Sequence, residues 1–192
     1  MASISFSTFQ TLSLNLVLLL LIAPTITIFM VPTTALAQTP NTTIARTDTF
    51  AMDGQIGSLI LGMPPDTKVI DMTTVPKFIL SGDWNMNVDH GNLADFRADF
   101  YTGPANGAEN HTHQLGNFRI NENAPIQLGP DKSISLSGIL DVGTNGNKAW
   151  DDVNATVDIS KGRSITISLA DEDTERHFMG QQIYGIVRGL TV

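Results

Sequence analysis

The stretch from Phe78 to Phe100 sets the tightest limit on how this chain folds. Phe78, Leu80, Gly82, Trp84, Met86 and Val88 share one parity, while Ser81, Asp83, Asn85 and Asn87 share the other, with Ile79 as the exception. A repeat of two puts one set on each side of an extended chain, so this is a strand with one buried face. Asp89-His90-Gly91-Asn92 follows, with the residue types that tolerate a tight hairpin turn. Ala94, Phe96, Ala98 and Phe100 then alternate with Asp95, Arg97 and Asp99. The two runs and their turn predict a long antiparallel hairpin.

Further strands are predicted at Ile56 to Leu61, His111 to Ile120, Ile134 to Val142, Val153 to Ile159, Ser164 to Leu169 and Ile183 to Val192. The segments between them carry Gly, Pro, Asn and Asp, and no stretch has helical periodicity. Strands at this spacing predict an all-β fold, an antiparallel sandwich or barrel, formed as a single mature domain over residues 50–192. A polar, Thr-rich spacer over 38–49 precedes it.

The first 45 residues hold no charged side chain, and Leu16 to Ile22 is an unbroken apolar block. Ala35-Leu36-Ala37 has the small-x-small form that signal peptidase cuts. Residues 1–37 therefore read as a signal peptide, with Gln38 as the first mature residue. The leader lacks a basic start, and Leu14 to Val31 approaches the length of a membrane span, so an uncleaved anchor is the alternative. Either reading places the rest of the chain outside the cell, secreted or held at the outer membrane face.

All 11 basic and 19 acidic residues follow Ala45, so the folded region carries the net charge of −8. Scattered basic residues on an acidic domain exclude nucleic acid as a partner and argue against anionic membrane surfaces. The chain has no cysteine, which removes disulfides, thiolate nucleophiles, iron–sulfur clusters and blue-copper sites. There is no nucleophile elbow, P-loop, dinucleotide fingerprint or H-E-x-x-H.

The one constellation with chemistry is histidine. The chain has four, and His111 and His113 lie one residue apart in a predicted strand. Residues i and i+2 point to the same face, so both imidazoles can reach one ion. His111, His113 and Leu115 share a parity and Phe118 and Ile120 share the other, so all face inward only if a β-bulge slips in near Gly116. Zinc takes up to four ligands, three of them from protein in an open site. Among the other candidates, His90, Glu109, Asp99 and His177, His90 sits in the far hairpin turn, about 30 Å of strand away. His177 is the expected third ligand, and copper or zinc the expected ion. The alternative is that the pair makes ordinary hydrogen bonds beside the core. A cupin would need Glu where Asn117 or Phe118 stands, and is rejected.

Weaker signals accompany this. Asp141, Asn145, Gly146 and Asp152 fall at calcium-loop positions, although a Gly/Asn-rich turn explains them better. Asp171 to Glu175 reads as a solvated acidic loop, and Trp84 and Trp150 as core aromatics. Asn41, Asn110 and Asn154 each begin an N-x-Thr sequon, an expected glycosylation site in an exported chain.

The run Ile79-Leu80-Ser81-Gly82-Asp83-Trp84 through Asn110-His111-Thr112-His113-Gln114-Leu115-Gly116-Asn117-Phe118 resembles a set of uncharacterised exported proteins of ammonia-oxidising archaea. Their shared pattern is G-[DN]-W, F-x-A-x-F, a Gly-bearing loop, H-x-H and N-F, and His177-Phe178 with Ile183-Tyr184-Gly185 is similar to its end. The resemblance covers about half of the mature chain. It implies export and a β-rich domain of unassigned function, and it favours His177 beside the H-x-H. Three readings of function follow: a β-domain that holds a transition metal through histidines, a metal-free surface module whose loops meet a protein or glycan, and a secreted hydrolase.

Overall fold

The computed structural model describes residues 47–63, 67–68, 71–104, 107, 110–121 and 123–192. The expected leader, most of the spacer, Asn41 and Glu109 lie outside these residues. Eight strands follow in chain order: β1 Phe50–Leu61, β2 Lys77–Asp89, β3 Asn92–Pro104, β4 His111–Ile120, β5 Ile134–Thr144, β6 Asn147–Ser160, β7 Ser164–Leu169 and β8 Ile183–Thr191. Each pairs antiparallel with the next, and β1 pairs with β8. That last pairing decides for a closed barrel over a sandwich, and closure leaves no open sheet edge. No helix occurs among the described residues.

The alternation explains which side is which. Leu80, Trp84, Met86 and Val88 of β2 and Phe96, Ala98 and Phe100 of β3 are buried inside the barrel. Asp83, Asn85, Asn87, Asp95 and Arg97 point outward and are exposed. A lipid-facing barrel has the reverse pattern. Ile79, the exception in the pattern, is exposed on the outside. Ala94 departs from expectation. Val88 pairs with Leu93 and Asn87 with Asp95, so Ala94 is the extra residue of a bulge and faces solvent.

Two strands begin earlier than their apolar runs predict. β1 starts at Phe50 rather than Ile56, because Gly54 thins the pattern at an inward position. Its missing side chain makes room for Trp84, whose indole Nε1 donates to the Ile186 carbonyl, 3.1 Å away. β6 starts at Asn147 rather than Val153, and the calcium-like spacing lies in a hairpin, as the turn reading expects. The stretch is a hairpin, turning at Asn145 and Gly146 with φ of 51° and 77°. Asp141 accepts from the Asn117 amide at 2.9 Å and pairs with Arg119 and Lys148, each at 3.4 Å. Asp152 also pairs with Arg119. Cross-strand cations meet these carboxylates.

A Cβ added at Gly54 would lie 1.9 Å from the Ile186 oxygen and 2.5 Å from Trp84 Nε1, whereas one at Gly57 meets nothing within 4 Å. Gly54→Ala is expected to lower stability by about 2–3 kcal/mol. Gly57→Ala is expected to change it by less than about 0.5 kcal/mol. Urea unfolding of the two variants checks the contrast.

Candidate metal centre

The bulge predicted near Gly116 is present, and it sets up the site. The β4–β5 register shifts between Gly116 and Arg119, and Asn117 takes the left-handed conformation at φ 52°. Asn is among the residues that accept that region most readily. The slip lets His113 and Leu115 on one side of the bulge, and Phe118 on the other, all turn inward. His113 has 0% exposure, while His111, nearer the barrel mouth, is half-buried.

His177 comes from the segment joining β7 to β8, which folds across the same mouth. Glu172 and Glu175 are exposed, as expected of a solvated acidic loop, but the segment is also anchored to the barrel. Asp173 accepts from the backbone and side-chain nitrogens of Asn154 at 2.9 and 2.8 Å. Thr174 is fully buried and its hydroxyl donates to the Ala170 and Asp171 carbonyls at 3.2 and 3.3 Å. Phe178 is buried in the core, and Gln181 bonds both the N–H and the carbonyl of Leu61, at 3.0 and 2.7 Å. These anchors hold Glu175, Arg176 and Met179 at positive φ of 51°, 62° and 53°. Non-glycine residues at such angles carry strain that surrounding contacts must offset.

The three histidines meet. His177 Nε2 lies 3.1 Å from His113 Nε2 and 3.3 Å from His111 Nε2. One ligand nitrogen from each residue lies within 4.8 Å of the others. Two nitrogens on a tetrahedral zinc, each at about 2.0–2.1 Å, stand roughly 3.3–3.4 Å apart. The geometry therefore fits three imidazoles around one small cation.

The supporting contacts select the right nitrogen. His113 Nδ1 donates to the Gly143 carbonyl at 3.3 Å, and the Thr144 hydroxyl lies 3.2 Å from the same atom. A carbonyl only accepts, so Nδ1 carries the proton and the Nε2 lone pair faces the other rings. Asn145 brackets the residue between the two histidines. Its N–H donates to the Thr112 carbonyl at 2.9 Å, and its side-chain oxygen accepts from the Thr112 N–H at 3.0 Å. The stretch that mimics a calcium loop in sequence thus holds the H-x-H strand in place.

Electrostatics act in the same direction. Burial pushes the His113 imidazole down to about 4, with His177 and His111 adding to the effect and the Gly143 carbonyl opposing it. Burial, then the nearby His111, also lowers His177. His113 is neutral at physiological pH, the form that ligates a metal. Phe100 and Phe178 pack on His113 with ring centres 5.4 and 5.1 Å away. Trp150, expected as a core aromatic, packs against the core and also reaches the site, 5.2 Å from the His177 ring.

The other expected candidates lie elsewhere. His90 is exposed in the β2–β3 turn, beside Asp89 at 2.7 Å. Asp99 faces outward and pairs with Arg97. The sequon residues Asn110 and Asn154 are exposed. Trp150, Gly143 and Thr144 carry no metal-ligand signal in sequence, and Asn145 only that of the calcium-like spacing, because their roles here depend on cross-strand register. No family model, curated protein or solved structure matches this chain.

Well above pH 6.5 the His113 imidazole is neutral whether the chain is folded or unfolded. Below it, the unfolded chain binds the proton first, because the folded value is depressed. Stability of the metal-free protein is expected to fall by about 2 kcal/mol between pH 6.5 and 5, a window above the carboxylates. Denaturant unfolding across that window tests this, and a His113→Leu variant is expected to show a flatter profile.

Proposed function

We propose that this barrel binds a transition metal, zinc or copper, through His111, His113 and His177, and does so outside the cell. The convergence of three imidazole nitrogens at one mouth of the barrel carries the reading. Imidazole suits both ions, whereas calcium asks for six to eight oxygens, which this set does not offer. The apolar leader with its Ala35-Leu36-Ala37 site, and the resemblance to exported archaeal β-proteins, support the placement outside the cell. Glycans at Asn110 and Asn154 are compatible with it, since both residues are exposed. The role is one of holding the ion: storage, delivery or support of the barrel mouth.

A second reading, a metal-free surface module, draws on the outer wall. Leu59 and Ile79 are cross-strand partners and Tyr101 lies diagonally beside them, all exposed. Neighbouring apolar side chains exposed on the outer wall favour a protein contact. Retention of partners from surface extract that survives metal removal and disappears in Leu59→Ser/Ile79→Ser would support this reading. Retention unchanged in that variant would remove it.

An ion bound only by the native state raises stability by mass action, by about 4 kcal/mol when free metal is 1,000-fold above Kd. Thermal unfolding is expected to shift upward with zinc or copper, and to return with a chelator. His111→Ala/His113→Ala is expected to abolish the shift. His177→Ala, at an exposed position, is expected to keep the fold and weaken binding at least about 10-fold. Unchanged metal affinity in these variants would end the proposal.

A further inference from the structure

The histidine cluster borders a cavity of about 440 Å³, between the ends of β1, β2 and β3 and the segment that carries His177. Its walls are mainly apolar, formed by Ile60, Phe78, Leu80, Phe178 and Met179. His111 and His177 line it, but His113 does not. An ion on the three histidines would therefore be held by His113 from the barrel interior and would face the cavity through His111 and His177. We propose that this cavity is a ligand site opening on the metal, for a small organic molecule with an apolar body and one oxygen-donor head group. The inference rests on the metal reading above and goes beyond holding the ion.

Four observations carry it. A zinc with three protein ligands keeps a fourth position for an exchangeable group. The volume lies in the range of small-molecule sites, and an apolar cavity of about 150 Å³ already holds a benzene ring. Thr102, which pairs with His111 across β3 and β4, is 6% exposed and lines the cavity. Its Oγ1 is buried and has no hydrogen-bond partner among the described residues. Buried hydroxyls are ordinarily paired, so a polar atom of a ligand, beside the metal, completes this one. Glu175 and Arg176, also on the lining, oppose each other in sign, so the apolar walls rather than net charge select the ligand.

Acetohydroxamate and benzohydroxamate share one metal-binding head and differ in apolar body, which makes them a direct probe. Both are titrated calorimetrically into the zinc-loaded and zinc-free protein, with bound zinc counted in the same samples. The zinc-loaded protein is expected to bind benzohydroxamate about 10-fold or more tighter than acetohydroxamate, because the ring leaves water for the cavity. Zinc-free protein is expected to bind neither well. Leu80→Phe, which narrows the cavity, is expected to reduce the preference to below about 3-fold while zinc uptake stays unchanged. Equal affinity for the two probes at full zinc loading would overturn the cavity proposal and leave the metal reading standing. Equal benzohydroxamate affinity with and without zinc would overturn its link to the ion. Absence of zinc uptake would overturn the metal reading, and the ligand site with it.

Discussion

A fully buried imidazole has two nitrogens to satisfy, and much of this barrel is arranged around the two nitrogens of His113. One is met from the barrel wall, where the β5 carbonyl of Gly143 accepts from Nδ1. The other faces the two remaining histidines at the mouth. Satisfying both demands several things at once. β4 must slip at Asn117 so that histidines and Phe118 all turn inward, β5 must pair in one register, and a long connection must bring His177 across. An apolar interior makes each requirement strict, because an unmet polar group there costs about 1–3 kcal/mol.

The same dry surroundings make the cluster suited to a cation. Phe100, Phe178 and Trp150 surround the rings, and burial keeps His113 unprotonated at neutral pH. Imidazole nitrogens that converge on one point can turn their lone pairs to a shared positive ion. The strained backbone at Glu175, Arg176 and Met179 belongs to this picture. Buried Thr174, buried Phe178 and the Gln181 clamp fix the segment on both sides of His177, so its ring is placed before any ion arrives. A site preorganised in this way spends little binding energy on ordering.

Much of the fold was legible in the sequence because period-2 alternation is a local signal. Phe78 to Phe100 announces its hairpin, and His111 to Ile120 announces both the shared face and the bulge. The signal fades where glycine replaces an inward side chain, as at Gly54, and the start of β1 is lost with it. Turn residues can copy another motif, as from Asp141 to Asp152, where calcium-loop spacing belongs to a hairpin. The choice between sandwich and barrel was out of reach, since closure rests on β1 meeting β8 across the whole chain. His177 was found by exclusion and resemblance, because nothing local ties it to residues 64 and 66 positions away. Gly143, Thr144, Asn145 and Trp150 were not legible as site residues, since cross-strand register decides what they touch.

The most direct test of the account is a crystal structure of the protein grown with zinc, with anomalous scattering recorded on both sides of the zinc edge. The account predicts one strong anomalous peak at the barrel mouth, with His111, His113 and His177 nitrogens each about 2.0–2.1 Å from it. His113 Nδ1 is predicted to keep its bond to the Gly143 carbonyl. No peak at that position in zinc-saturated crystals, or a peak held by surface carboxylates with the three imidazoles bonded only to protein groups, would contradict it.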